Sequence, residues 1–140
     1  MLQQIIQQVI QEAKLEAFKE ADMIAARHLA RSYAKVIGLG LVEETKLVTA
    51  VSELTRNLIV HGKGGTVYFT AIAGNQRQGV RVVFEDFGPG IADIKSAMAE
   101  GVSSTKSMGM GLPGSKRLVN DFEIKSEVGK GTQVTITKWN

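Results

Sequence analysis

The feature that most constrains the fold is a change of hydrophobic period at residues 62–65. Ahead of it, Ala26, Leu29, Ala30, Tyr33, Val36 and Ile37 recur at spacings of three and four, as do Leu47, Val51, Leu54 and Leu58. Each set forms one apolar stripe on a helix. Beyond it, residues 66–73 (TVYFTAIA) and 80–86 (VRVVFED) are β-branched and aromatic, and a polar connection over 74–79 makes them adjacent antiparallel strands.

This reading predicts a helix capped by Asp22 and stopped at Gly38-Leu39-Gly40, then a second helix over 43–60. Gly88-Pro89-Gly90 ends the second strand, and residues 92–100 suit a short helix. Residues 101–112 match neither period and are expected to be a loop, with a helix opening at Pro113 and running to about 119. Residues 122–128 and 132–139 form a hairpin around Gly129-Lys130-Gly131. At the start, Ile5, Ile6, Val9, Ile10 and Ala13 fall at helical spacing, which predicts a short amphipathic helix or arm over residues 1–15. The order implies one domain over 1–140, an α/β two-layer sandwich with a mixed, largely antiparallel sheet and helices on one face.

Composition narrows the function classes. With no cysteine there is no thiolate zinc site, disulfide framework or cysteine nucleophile, which is compatible with a cytoplasmic location. The net charge of +3 is spread along the chain, so nucleic acid is not the expected partner. No apolar run reaches the roughly 18 residues of a membrane helix, and the first ten residues lack a secretory layout.

Several segments could carry chemistry. Glu53 and Asn57 are four apart and share one helix face. The amide oxygen can face a hard cation such as Mg²⁺ and the carboxylate can take a proton, although an exposed polar pair would look the same. Asp86, with Gly88, Gly90 and Ile91 after it, places an acceptor at a strand end beside backbone open to close approach. An ionised carboxylate suits the amine of adenine and repels the carbonyl of guanine, and an Asx turn is the structural alternative. Gly109-Met110-Gly111-Leu112-Pro113-Gly114 fits G-x-G-x-x-G, but no strand precedes it and no βαβ unit surrounds it, so it is not a dinucleotide fingerprint. Its N–H groups at a helix start could still receive phosphate. Neither His28 nor His61 is followed or preceded by a Cys, His or Asp at metal-ligand spacing, so neither is assigned to metal or catalysis.

Taken in order, Glu53-x-x-x-Asn57, Asp86-x-Gly88-x-Gly90, Gly109-x-Gly111 and Gly131-Thr132 resemble the Bergerat-type ATP site of the GHKL ATPases. Within these, residues 20–140 resemble the small serine/threonine switch kinases of bacterial partner-switching pathways, the anti-sigma regulatory factor family, through Asp22–Arg27, 50–57, 86–91, 109–118 and 129–132. The resemblance implies ATP and Mg²⁺ as cofactors, with Glu53 as polarising or general base and Asn57 holding the metal. Asp86 would receive the adenine amine, assisted by Thr132. Gly88, Gly90 and Ile91 would line the base pocket, and 101–112 would form a lid bringing Gly109, Met110, Gly111 and Leu112 near the phosphates. It implies STAS-domain antagonist or scaffold proteins as acceptors and a PPM-type phosphatase as the enzyme activated downstream. Residues 1–15 match no motif and are read as an arm, a partner-binding helix or a homodimer contact. The rival functions are an anti-sigma factor that binds a sigma factor directly and a binding module that uses ATP without turnover; a histidine autokinase would need an upstream dimerisation helix pair.

Overall fold

The computed structural model describes residues 7–99 and 106–140, and of residues 106–110 the backbone alone. The elements in order are β1 (Gln8–Ala17), α1 (Glu20–Val36), α2 (Leu41–Val60), β2 (Gly65–Ala73), β3 (Gln78–Asp86), α3 (Ile94–Met98), α4 (Lys106–Leu118), β4 (Asp121–Glu127) and β5 (Gly131–Trp139). The sheet runs β1-β2-β3-β5-β4, and every pairing among the described residues is antiparallel, with no parallel pair to make it mixed.

Strand alternation builds the core. Val67, Phe69 and Ala71 of β2, Val80, Val82 and Phe84 of β3, and Val134 and Ile136 of β5 are buried, successive members two apart and so on one face. Against them pack Ala26, Ala30, Tyr33 and Ala34 of α1 and Leu47, Val51, Leu54 and Leu58 of α2. The α2 stripe is the one read from the sequence; on α1, Ala34 joins the face and Val36, expected on it, is exposed. The Tyr33 and Phe69 rings meet at 5.7 Å, tilted by 40°. The helix α4 packs mainly on α2.

Three expectations are corrected. Residues 8–17 form strand β1, not a helix, pairing with β2 from Gln8↔Ala73 to Ala17↔Gly65. Glu12, Lys14 and Glu16 alternate outward with Ala13, Leu15 and Ala17 inward, and that two-residue period on the open edge of β2 outweighs the helical spacing of the residues before it. Asp22 is not the N-cap: α1 begins at Glu20, and Asp22 Oδ2 reaches back to accept the N–H groups of Phe18 (2.9 Å) and Lys19 (3.1 Å). Those two bonds hold its carboxyl below the usual range. Finally, α4 starts at Lys106, so Pro113 lies inside it and leaves the Gly109 carbonyl without its usual i+4 donor. Packing on α2, with Leu112 and Ser115 both buried, outweighs the poor helix propensity of the glycines and the proline. Of the expected lid over 101–112, residues 101–105 and the side chains of 106–110 lie outside the described residues.

Candidate functional site

Gly65, Asp86 and Thr132 are aligned partners across β2, β3 and β5, at the end of the sheet where β3 stops. The core face of β3 reads Val80, Val82, Phe84, and the next position on it is Asp86. On β5 the same face runs Ile136, Val134, Thr132. The alternation that buries the valines therefore carries a carboxylate inward, and Asp86 is 8% exposed. A carboxylate so placed needs donors. Its Oδ1 accepts the N–H of Gly88 at 2.9 Å and of Thr132 at 3.2 Å. The first of these is the Asx turn considered from the sequence, and it occupies one oxygen. The other, Oδ2, lies against Gly62.

Glycines set that environment by absence of bulk. A Cβ on Gly62 would overlap the Asp86 carboxyl, one on Gly131 the Asp86 carbonyl, and one on Gly65 the Glu85 carbonyl. Gly88 packs backbone to backbone on Gly62 and is not among the residues that line the cavity beside Asp86. Between α2 and β2 the turn itself is made by Lys63 (φ 65°) and Gly64 (φ 96°). Gly62 and Gly65 are there for close approach. The surplus of glycines over what a helix stop needs is the sequence signal that could have found Gly62.

In front of Asp86 is a cavity of about 160 Å³. Its walls are Leu54 and Leu58 of α2, Phe84 of β3, Val134 of β5, Leu112 of α4, and Pro89, Gly90 and Ile91 of the loop after β3. Four polar side chains join them: Asn57, His61, Asp86 and Thr132. A mostly apolar cleft with a few converging polar groups is the usual form of a small-molecule site. The loop is fixed from behind: Ile91 N–H donates to Ser126 Oγ at 2.7 Å and Gly129 N–H to the Pro89 carbonyl at 2.9 Å.

Asn57 is the clearest sign of a ligand-binding role. Its Oδ1 and Nδ2 are both buried without a hydrogen-bond partner among the described residues. Leaving such an amide unpaired costs on the order of 1–3 kcal/mol. Gly111 of α4 packs on it, and a Cβ there would come within 2.6 Å of Nδ2. The amide oxygen is a suitable hard donor for Mg²⁺, which takes few protein ligands and completes its shell with phosphate and water. Among the described residues no group of three or more His, Cys, Asp or Glu side chains could hold a metal ion. Glu53 is half-buried one turn before Asn57 and outside the cavity wall. Of the remaining sequence candidates, Gly90, Ile91, Leu112 and Thr132 line the cavity. Gly109 and Met110 are in the first turns of α4, and Met110's side chain is among those not described.

At the far end of the same β5 face, Lys138 is 4% exposed. Its Nζ meets Glu43 Oε1 of α2 at 2.6 Å and donates to the Leu118 carbonyl, the last of α4, at 3.1 Å. This cation ties both helices to the sheet and holds the Glu43 carboxyl below its usual 4.5.

Residues 16–138 match the family of histidine kinase-like ATPase domains, and the chain belongs to that family. The chain is also similar to the serine/threonine-protein kinase RsbT of Bacillus subtilis, 40% identical over 120 residues covering 86% of this chain and 90% of that protein. An anti-sigma F factor of Clostridium acetobutylicum is 32% identical over 119 residues, covering 81% and 82%. In fold it is similar to a chain in the crystal structure of the SiaB–SiaC complex from Pseudomonas aeruginosa, with a TM-score of 0.52 and 11% identity over 94% of this chain and 91% of that one. Within its family the chain is RsbT-like: an ATP-dependent serine/threonine-protein kinase.

Proposed function

We propose that this kinase transfers the γ-phosphate of Mg-ATP to a serine or threonine of a STAS-domain antagonist or scaffold protein, of the RsbS and RsbR kind, in a cytoplasmic partner-switching pathway of the stressosome type. Released from that partner, it activates a PPM-type phosphatase of the RsbU kind. The observation that carries the nucleotide part is Asp86. One oxygen is spent on the turn and on Thr132, and the other is kept beside Gly62 at a cavity wall, where it can accept the adenine amine.

The chain's own groups then have separable tasks. Asn57 offers its unpaired oxygen to magnesium, which neutralises phosphate charge when bound. Glu53, one turn away, accepts the proton of the incoming hydroxyl or orients it. The backbone around Gly109, Met110 and Gly111 lies beside the phosphates. Incubation with Mg-ATP and a candidate STAS-domain protein, read by intact mass, tests this: one added phosphate on Ser or Thr supports the reading, and none despite ATP binding overturns the kinase assignment to that class of acceptor. The similarity to an anti-sigma F factor favours a second reading, direct binding of a sigma factor. Nucleotide-dependent retention of a sigma factor by the immobilised kinase would support it.

A further inference from the structure

We infer that Ser126 is a positioning residue that sets the hydrogen-bond polarity of Thr132 toward the nucleobase. The inference rests on the nucleotide reading above and goes beyond it to a residue outside the cavity wall.

The argument is a count of protons. Ser126 Oγ accepts the Ile91 N–H at 2.7 Å, which leaves it one proton to give. Two acceptors are in reach: the Gly131 carbonyl at 3.0 Å and Thr132 Oγ1 at 2.7 Å. If the proton goes to Gly131, the short contact between the hydroxyls must be made by the proton of Thr132, which then shows only lone pairs to the cavity. If it goes to Thr132, the proton of Thr132 is released toward the cavity.

Asp86 decides between these arrangements. Its carboxylate accepts, and so selects a purine edge bearing an exocyclic amine. On adenine that amine is flanked by unprotonated ring nitrogens, N1 and N7, which are acceptors. The complement of an amine next to a ring nitrogen is an acceptor next to a donor. Asp86 Oδ2 supplies the first, and Thr132 supplies the second only when Ser126 donates to it. Guanine offers a carbonyl where adenine has the amine, and the pair rejects it. The two hydroxyls lie on neighbouring strands, Ser126 on β4 facing Thr132 on β5, so strand register fixes their separation.

The test couples a protein atom to a ligand atom. Dissociation constants for ATP, 1-deaza-ATP and 7-deaza-ATP are measured by calorimetry with the wild type and Ser126→Ala, alongside melting curves. Ser126→Ala leaves the Thr132 hydroxyl free to turn, its proton no longer held toward the base, and should weaken ATP about tenfold, and Ser126→Thr, which keeps the hydroxyl, should recover most of that loss. For one of the deaza analogues, the one lacking the nitrogen that Thr132 addresses, the same substitution should change affinity less than twofold. If Ser126→Ala weakens ATP and both analogues equally, Ser126 only props the loop through Ile91 and the inference fails. If the wild type binds none of the three, the nucleotide reading itself fails. Should Ser126→Ala not fold, Ser126→Cys carries the same comparison, because a thiol keeps the size and donates only weakly.

Discussion

The Thr132 N–H donates to Asp86 Oδ1 at 3.2 Å, so the residue at the start of β5 holds the carboxylate at the end of β3 in place. That bond is made by backbone, and it fixes one carboxylate oxygen while leaving the Thr132 side chain to the cavity. Recognition through Asp86 therefore depends on the register of the sheet and on the small residues around it.

Gly62→Ala tests the second of these. The added methyl would overlap the carboxyl group, which cannot turn without giving up its bonds to Gly88 and Thr132. Overpacking of this kind costs about 1–3 kcal/mol. The expected outcome is a lower melting temperature and at least about tenfold weaker ATP binding by calorimetry.

Asn57→Ala should separate function from stability. The substitution removes an amide that is buried and unpaired, whose burial costs about 1–3 kcal/mol, and this offsets the packing lost. The melting temperature without ligand should stay level or rise, while the stabilisation gained on adding Mg-ATP is lost. A large drop in the ligand-free melting temperature would mean that the amide has a structural partner.

Glu53→Gln should leave ATP affinity within about twofold, because Glu53 lies outside the cavity wall. Phosphate transfer to the protein acceptor should fall roughly 10²–10⁴-fold, the range expected for loss of a general base. Single-turnover transfer with bound ATP separates the two quantities.

The Lys138–Glu43 pair predicts an acid-side signature. The folded pKa of Glu43 is lowered, so its contribution to stability is present above the ordinary carboxylate range and is lost as pH falls through the depressed value. Melting temperature should therefore decline below about pH 4.5 more steeply in the wild type than in Glu43→Gln, which lacks the titrating group. Above that range the variant should melt lower, since Lys138 would face a neutral amide oxygen in place of a carboxylate. Equal slopes would remove this pair from the account.

The sequence made the helices α1 and α2 and four of the strands legible because each has a single clear period. Asp86 was legible as an acceptor at a strand end before Gly88 and Gly90; that it continues the Val80, Val82, Phe84 face came from the strand's register. Strand β1 was not, because helical spacing in its first residues masked the alternation from Glu12 to Ala17. Nor was the start of α4, where contact with α2 outweighs local propensity. Ser126 was out of reach for another reason. What it does depends on Ile91, 35 positions away in the chain, and no local pattern encodes such a contact.

The most direct test of the central claim is calorimetric titration of the wild type and Asp86→Asn with Mg-ATP and Mg-GTP. Asparagine can keep the Oδ1 bonds to Gly88 and Thr132 while putting a donor where Oδ2 accepts. The account predicts that the wild type binds ATP and not GTP, and that Asp86→Asn loses about 100-fold in ATP affinity with little change in melting temperature. An Asp86→Asn protein that binds ATP as the wild type does would contradict it.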